Sequence, residues 1–494
     1  MRPLEIVLTL ANLLAFCILL IPRRYWRRWM AAVVLLAPIA AYIEMLVEGP
    51  RWQMVPAHGL ALCLLAAGLL KLRSSAKRRS HRILSGLSIF VGALLFAVSV
   101  ALPVTLPVFR FPEPSGHYAI GTVSFHWTDR SRPELFTTDG NKHREIEARV
   151  WYPARPEPSA PRAPYVENAN AVTPVLSRLL HLPPFFFSYL KYVRTHAVAS
   201  APVASSRQMY PVLIYLTGLG GFPSASMFQI QDLVSHGYIV VGLDQPDAAG
   251  AVRLPDGRTI TLPPLHVIQP LIDQSLDPLP QAPQLFAGPM PAGILPYFAK
   301  DVSFAIDRLT TIDNRRRGIL ANHMNLHRIG IFGMSLGAMT AAQAALHDPR
   351  IRAVLMIDAA MPADVVRAGL PQPAMWISRP ADSMRLERRR MGGWSEKAIA
   401  QTISTMRATF RHCAPGNGYY LEMPGMFHLN FTDAPYWSPF TRQLGLTGPV
   451  DATKMFAIVN AYTLAFFNKY LDGRQEPLFD PYAVSPAGVL FQRR

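Results

Sequence analysis

The segment Gly333-Met334-Ser335-Leu336-Gly337 holds a serine between two glycines at the G-x-S-x-G spacing of a nucleophile elbow. The spacing has a physical basis. A strand that turns abruptly into a helix forces the serine into a strained backbone conformation, and flanking side chains larger than hydrogen would collide there. The surroundings match that requirement. The apolar run Ile329-Gly330-Ile331-Phe332 leads in as a strand, and Ala338-Met339-Thr340-Ala341-Ala342 leads out as a helix of small residues. Ser335 is therefore the candidate nucleophile for acyl transfer.

A serine hydroxyl needs a base, and the base needs an acid to orient it. With an elbow of this kind the chain order is serine, acid, histidine, and only His347, His412 and His428 follow Ser335. His347 ends the helix after the elbow, at the wrong end of the sheet. His412 lies in a basic segment before the last strand. His428 follows that strand, in Pro424-Gly425-Met426-Phe427-His428, where the base belongs. For the acid, Asp358 and Asp382 both follow a strand at its C-terminal end, where sites form in open α/β sheets, and pattern alone leaves them even. Asp382 has Arg379, Arg385 and Arg388 close by in sequence as alternative partners. Two backbone N–H groups must hold the oxyanion. The residue after the nucleophile, Leu336, supplies one. The other is expected from the loop after the Val212–Leu216 strand, Thr217-Gly218-Leu219-Gly220-Gly221, with Leu219 as the candidate and an ordinary glycine-rich turn as the alternative. No metal or cofactor is implied, because no His/Cys cluster has ligand spacing. Cys17, Cys63 and Cys413 form no disulfide framework.

These residues need a scaffold, and the sequence from 115 onward describes one. Strands are expected at Tyr118–Phe125, Glu145–Tyr152, Val212–Leu216, Tyr238–Leu243, Arg328–Phe332, Ala353–Ile357, Ala374–Ile377 and Tyr419–Met423. Helices are expected near 172–196 and at Gln229–His236, Phe298–Ile312, Leu336–His347 and Ala452–Leu471. Strands alternating with helices build a mostly parallel, doubly wound sheet, the α/β class. Pro-rich stretches at 153–210 and 245–295 read as a cap and an insertion. Leu182-Pro183-Pro184-Phe185-Phe186-Phe187 faces lipid or shapes a lid if it is exposed, and is ordinary cap packing if it is not.

The first 110 residues are different. Apolar segments at about 4–21, 29–47, 54–70 and 83–103 each come near the length of roughly 20 residues that spans a bilayer. Four in succession are not a signal peptide. Four prolines between 103 and 114 then mark a linker, giving a transmembrane region 1–110 and a catalytic domain 111–494. The chain's net charge of +17 suggests nucleic-acid binding until it is divided. Residues 1–110 carry 13 Lys/Arg and 3 Asp/Glu, a net of +10, and the other 384 residues carry 36 and 29, a net of +7. The basic runs flank apolar segments, which is a topology signal and excludes nucleic acid as the partner. Four arginines in loop 22–28 and six Lys/Arg in 71–82 place those loops in the cytoplasm. The chain is then a multi-pass membrane protein whose domain after 110 lies outside the cytoplasm.

The motifs in order resemble the platelet-activating factor acetylhydrolases of the plasma and intracellular type II kind, and related bacterial esterases, over about 115–475. Thr217-Gly218-Leu219-Gly220 is similar to the family's oxyanion stretch, Gly333–Gly337 to its elbow, and Ile357-Asp358-Ala359-Ala360-Met361 to its acid motif. His428-Leu429-Asn430-Phe431-Thr432-Asp433 is similar to its base motif, and Gly116–Gly121 and Ser235–Val240 also resemble the family. Thr217 and Met334 stand where the family has histidine, and the four N-terminal segments lie outside the mammalian pattern. The resemblance implies an α/β-hydrolase fold, with Asp358 rather than Asp382 as the acid. It implies a Ser335–His428–Asp358 hydrolase of carboxylic esters, of short-chain acyl or lipid and phospholipid type. Two other classes are weighed against this reading: a membrane-bound binding or sensor protein on a degenerate hydrolase domain, and a thioesterase or acyltransferase.

Overall fold

The computed structural model describes residues 1–22, 25, 27–73, 82–205, 209–286, 288–480, 486 and 488–494. They form two compact units. One comprises Met1–Phe109 with Ser188–Tyr192 and Trp437–Phe440, and the other holds the rest.

The smaller unit is built on helices Pro3–Leu20, Arg28–Val47, Val55–Arg73 and Arg82–Thr105. All four are long and apolar enough to cross a membrane, which supports a multi-pass membrane topology. The distribution of apolar side chains is that of a lipid-solvated bundle. Small residues such as Ala37, Ala41, Ala57 and Ala61 meet inside with Leu8, Val34 and Leu60, letting the helices approach closely. Leu46, Leu62, Leu70 and Phe90 point outward. A cluster of acidic and basic side chains lies at one end. Arg51 grips Glu5 with two bonds of 2.5 and 2.7 Å. Arg2 binds Glu5 and Glu44, both at 2.7 Å, and His58 meets Glu44 at 2.8 Å. Much of the two basic loops from which the orientation was expected, including Arg23, Arg24 and residues 74–81, lies outside the described residues.

The larger unit is organised by an eleven-stranded sheet. Its strands are β1 (Ala119–Pro133), β2 (His143–Ala154), β3 (Arg162–Pro164), β4 (Arg194–Ala199), β5 (Tyr210–Leu216), β6 (Ile239–Asp244), β11 (Met324–Met334), β12 (Ile351–Ile357), β13 (Ala374–Ser378), β14 (Gly418–Glu422) and β15 (Leu490–Arg493). Two short hairpins, β7 (Ala251–Arg253) with β8 (Thr259–Thr261) and β9 (Gln284–Leu285) with β10 (Gly288–Pro289), stand apart. The spatial order is β15-β14-β13-β12-β11-β5-β6-β2-β1-β4-β3. Strands β6, β5, β11, β12, β13 and β14 run parallel, and β2 and β15 pair antiparallel at either side. The parallel strands are almost wholly buried and read as continuous apolar runs, because helices cover both faces. Alternation along β11 divides the faces. Ile329 and Ile331 join Ala338, Ala341 and Ala342 of the helix Leu336–His347 in one core. Phe332 meets Phe467 of the closing helix Ala452–Leu471 on the other face, and Gly330 lies against the same ring, where a Cβ would come within 2.7 Å of it. This is the α/β-hydrolase fold, preceded by four apolar helices.

The structure departs from the sequence reading in three places. The helix expected near 172–196 covers only Ala169–Leu179. Pro183 and Pro184 stop its continuation, and a 3-10 turn at Ser188–Tyr192 and strand β4 follow. Two helices, Ala381–Met391 and Glu396–His412, occupy a stretch that had no assignment. The insertion 245–295 contains the helix Leu265–Leu276. It also has a small core of its own, in which Ile268, Leu271, Ile294 and Phe298 pack with Leu336.

Candidate active site

Strand β11 ends at Met334, and the chain reverses into the helix Leu336–His347 through one residue, Ser335. Its backbone sits at φ 56 and ψ −123, a strained region for a residue with a side chain. The flanking glycines explain how the turn fits. A Cβ on Gly333 would lie 2.3 Å from the carbonyl oxygen of Gly337, and one on Gly337 would lie 2.1 Å from that of Leu216. Both are far inside contact distance, so the elbow helix can reach β5 only with hydrogen at these positions.

Asp358 ends the neighbouring strand β12, whose Ile357 is in register with Met334. The Ser335 N–H donates to the Ile357 carbonyl at 2.9 Å. Nucleophile and acid candidates thus leave adjacent parallel strands at the same edge. Asp358 also has positive φ, 47°, and is fully buried. Its Oδ2 lies 2.7 Å from His428 Nδ1. The same oxygen accepts a hydrogen bond from Arg379 Nε at 2.8 Å. Burial alone would raise the Asp358 pKa, but the Arg379 charge and then the hydrogen bond and charge of His428 outweigh it, so the carboxyl is held below its usual value. The Ser335 hydroxyl carries no hydrogen bond among the described residues. Acid and base candidates are joined directly, and the serine leaves the strand next to that of the acid.

His428 follows β14 and opens a 3-10 turn, His428–Phe431. The spacing of its motif has structural reasons. Asn430 Oδ1 accepts from the N–H groups of Phe427 and Gly448 at 2.8 and 2.7 Å, fixing the turn. Asp433 accepts from the N–H groups of Met227 and Phe228 at 2.7 and 3.0 Å. It therefore caps the helix Met227–Ser235 that follows the glycine-rich loop. Burial pushes the Asp433 carboxyl up to about 8 against those two amides and a hydrogen bond from Tyr165.

Leu336 opens the elbow helix, so its N–H belongs to the first turn, whose amides have no partner within the helix. Leu219 lies in the loop after β5. The chain after β6 braces that loop: Gly220 N–H donates to Ala248 and Gly250 N–H to Gly221, both at 2.8 Å. Gly250 is required there, since a Cβ would fall 2.6 Å from the Gly220 oxygen. The side chains of Leu219 and Leu336 both pack into the insertion core, which holds the two backbones by apolar contact. The brace itself is mounted on the buried Arg144, whose guanidinium bonds Asp301 at 2.8 Å and Asp247 at 3.2 Å.

The remaining candidates lie elsewhere. The Asp382 side chain is 93% exposed and pairs with Arg385 at 3.1 Å. Arg379 turns to Asp358 instead, and Arg388 to Glu396. His347 is exposed beside Asp364, and His412 is exposed at the end of its helix. Of the aromatic stretch at 185–187, Phe185 is 53% exposed and Phe187 is buried, so one ring faces outward and another packs. Sequence reasoning gave no role at the site to Arg379 and Glu387. Both are buried, Arg379 also binds Glu387, and Glu387 Oε1 accepts from the His428 N–H at 3.2 Å. A single arginine directly after a buried strand was the available signal.

Comparison with known proteins agrees with this architecture. Residues 106–254 match the family described as platelet-activating factor acetylhydrolase, isoform II, a span that includes the glycine-rich loop and ends before Ser335. A bovine platelet-activating factor acetylhydrolase is 24% identical over 288 residues, covering 53% of this chain and 58% of the bovine protein. The dog enzyme of the same name is 22% identical over 396 residues, 74% of this chain and 78% of its own. A ferulic acid esterase from Streptomyces cinnamoneus superposes with a TM-score of 0.59 at 25% identity, covering 78% of this chain and all of the esterase. The chain is an α/β-hydrolase-fold protein with apolar N-terminal helices, related to platelet-activating factor acetylhydrolases and to a ferulic acid esterase, and these relatives support a hydrolase-type catalytic function.

Proposed function

We propose that this protein is a membrane-anchored serine hydrolase of carboxylic esters. Ser335 attacks the ester carbonyl while His428 takes its proton. Asp358 holds the imidazole in the tautomer that leaves Nε2 free to do so. The N–H groups of Leu219 and Leu336 stabilise the oxyanion. His428 then returns the proton to the leaving alcohol, and water releases the acyl group by the same route. The observation that carries the reading is the strained Ser335 turn one strand away from the 2.7 Å Asp358–His428 pair. A serine–histidine bond is not a precondition, because catalytic hydrogen bonds often tighten only with substrate in place.

The substrate is a short-chain acyl or lipid ester presented at the membrane, and the catalytic domain, residues 111–494, lies outside the cytoplasm. The chain's relatives and its four apolar helices support the first statement, and the Lys/Arg content of its short loops supports the second. Fluorophosphonate labelling of wild type and Ser335→Ala, followed by a panel of p-nitrophenyl esters of rising chain length, tests the chemistry. Labelling that persists in Ser335→Ala excludes Ser335 as nucleophile, and a folded wild type that neither labels nor turns over any ester is a binding module. Product analysis with added alcohols separates hydrolysis from acyl transfer to another acceptor. Alkaline phosphatase fused after Arg494 is expected to be active, and a fluorescent cytoplasmic fusion at the same point overturns the orientation.

A further inference from the structure

The acid that faces His428 is not a lone aspartate. Asp358 Oδ2 is shared between His428 Nδ1 at 2.7 Å and Arg379 Nε at 2.8 Å. The other arm of the guanidinium binds Glu387, whose second oxygen accepts from the His428 backbone N–H at 3.2 Å. The ring closes on itself, from imidazole through aspartate, arginine and glutamate to the backbone of the same histidine. The Asp358 and Arg379 side chains are wholly buried, and Glu387 nearly so. Trp394 covers the group, with its ring 5.2 Å from the His428 ring and the Arg379 guanidinium 5.4 Å from its centre.

Charge explains why three groups are used. A guanidinium on the oxygen that holds the imidazole withdraws part of the stabilisation that aspartate gives an imidazolium. With Asp358 and Arg379 alone, His428 would face a net charge of zero. Glu387 restores a net charge of −1, and it does so from the side that grips the histidine backbone. Asp358 also acts on Tyr420 of β14. Burial pushes its phenol up to about 12, against the lowering charge of Arg407, so it stays neutral.

We infer that Glu387 and Arg379 are positioning residues for this site, Glu387 fixing the His428 backbone and balancing the Arg379 charge, so that the Asp358–Arg379–Glu387 group keeps a net charge of −1. The inference rests on the triad reading above. Neither residue touches the reacting atoms.

The test uses the full-length protein in detergent micelles, with fluorophosphonate labelling and p-nitrophenyl acetate hydrolysis followed across pH. The acid limb of kcat/KM reports the base in the free enzyme. Glu387→Gln removes the negative charge that balances Arg379, so the limb is expected to move to lower pH, by about one unit. Glu387→Asp restores the charge and should return the limb towards its wild-type position. A purely structural Glu387 would lower the rate with the limb unmoved, and that result overturns the inference. Should Glu387→Gln yield no labelled protein, the double change Arg379→Met with Glu387→Met decides. It restores a net charge of −1 from Asp358 alone, and replacing both partners of a buried pair by apolar groups is often tolerated. Labelling with the wild-type limb supports the charge balance, whereas a shifted limb or no labelling overturns it. Ser335→Ala is run beside these variants. If it still labels, the triad reading itself has failed, and if it is silent while the Glu387 limb does not move, only this inference has.

Discussion

Asp358→Asn is the change most diagnostic of the proposed mechanism. The carboxylate is fully buried, and one oxygen serves both His428 and Arg379. An amide in its place can turn a donor towards Nδ1 and hold the wrong tautomer, a loss of about 10⁴ in kcat in a serine triad. That is about 5 kcal/mol of transition-state stabilisation. The folded state suffers separately. Arg379 keeps only Glu387, and breaking a buried ion pair by removing one partner costs about 3–5 kcal/mol. Because Glu387 remains, the lower end of that range is expected. The variant should therefore melt several degrees lower, yet remain folded enough to assay. Asp382→Asn touches only an exposed pair with Arg385, and its kcat should stay within twofold of wild type. Steady-state hydrolysis of p-nitrophenyl acetate, with a circular dichroism melt of each variant, measures both effects. If Asp382→Asn is the more damaging, or if Asp358→Asn keeps a tenth of wild-type kcat while folded, the reasoning about the acid is refuted.

Ser335→Gly should abolish turnover and raise the melting temperature, because glycine relieves a positive φ that costs about 1–3 kcal/mol; a lower melting temperature would show that the turn is unstrained. Gly337→Ala places a methyl 2.1 Å from the Leu216 carbonyl oxygen, so the folded yield should collapse, and a well-expressed, active variant would contradict the close approach of helix and strand. Asp433 provides a pH test. Its carboxyl, pushed by burial up to about 8, lies above the ordinary aspartate value of 3.8, so the folded state binds the extra proton and its contribution is complete below that lower value. The contribution is lost as pH rises through the window up to about 8. Urea titrations from pH 5 to 9 should show wild type losing stability faster than Asp433→Asn, and equal slopes would exclude Asp433 as the source.

What could be read from the sequence follows the range of the forces involved. The elbow was legible because its glycines and serine answer a local steric demand. The closing helix Ala452–Leu471 and the four apolar helices were legible because their length and apolar content are local too. The helices Ala381–Met391 and Glu396–His412 were not, since the first is dense in arginine and the second mixes charge into its pattern. Asp358 and Asp382 were even on pattern because each follows a strand, and what separates them, complete burial against 93% exposure, is a property of packing. Arg379 and Glu387 were beyond sequence for the same reason. Their partners lie 21 and 41 residues away, and nothing local to either residue names them.

The charged end of the helical unit bears on how the chain is made. Glu5, Glu44 and Glu48 belong to the first two helices and their boundary, and Arg2 is the only cation those segments add to the cluster. The bidentate partner of Glu5, Arg51, emerges from the ribosome only afterwards, at the entrance to the third helix. A nascent hairpin of two helices therefore sets three acids against Arg2 alone, and under-compensated buried charge is costly. The Arg51 and His58 partners of Glu5 and Glu44 come with the third helix and the turn before it, so the charge cluster is complete only when three helices have been made. A chain cut back to its first two helices would keep Glu5, Glu44 and Glu48 but lose two of the three basic groups that meet them, so the shortened unit would be electrostatically unlike the whole one.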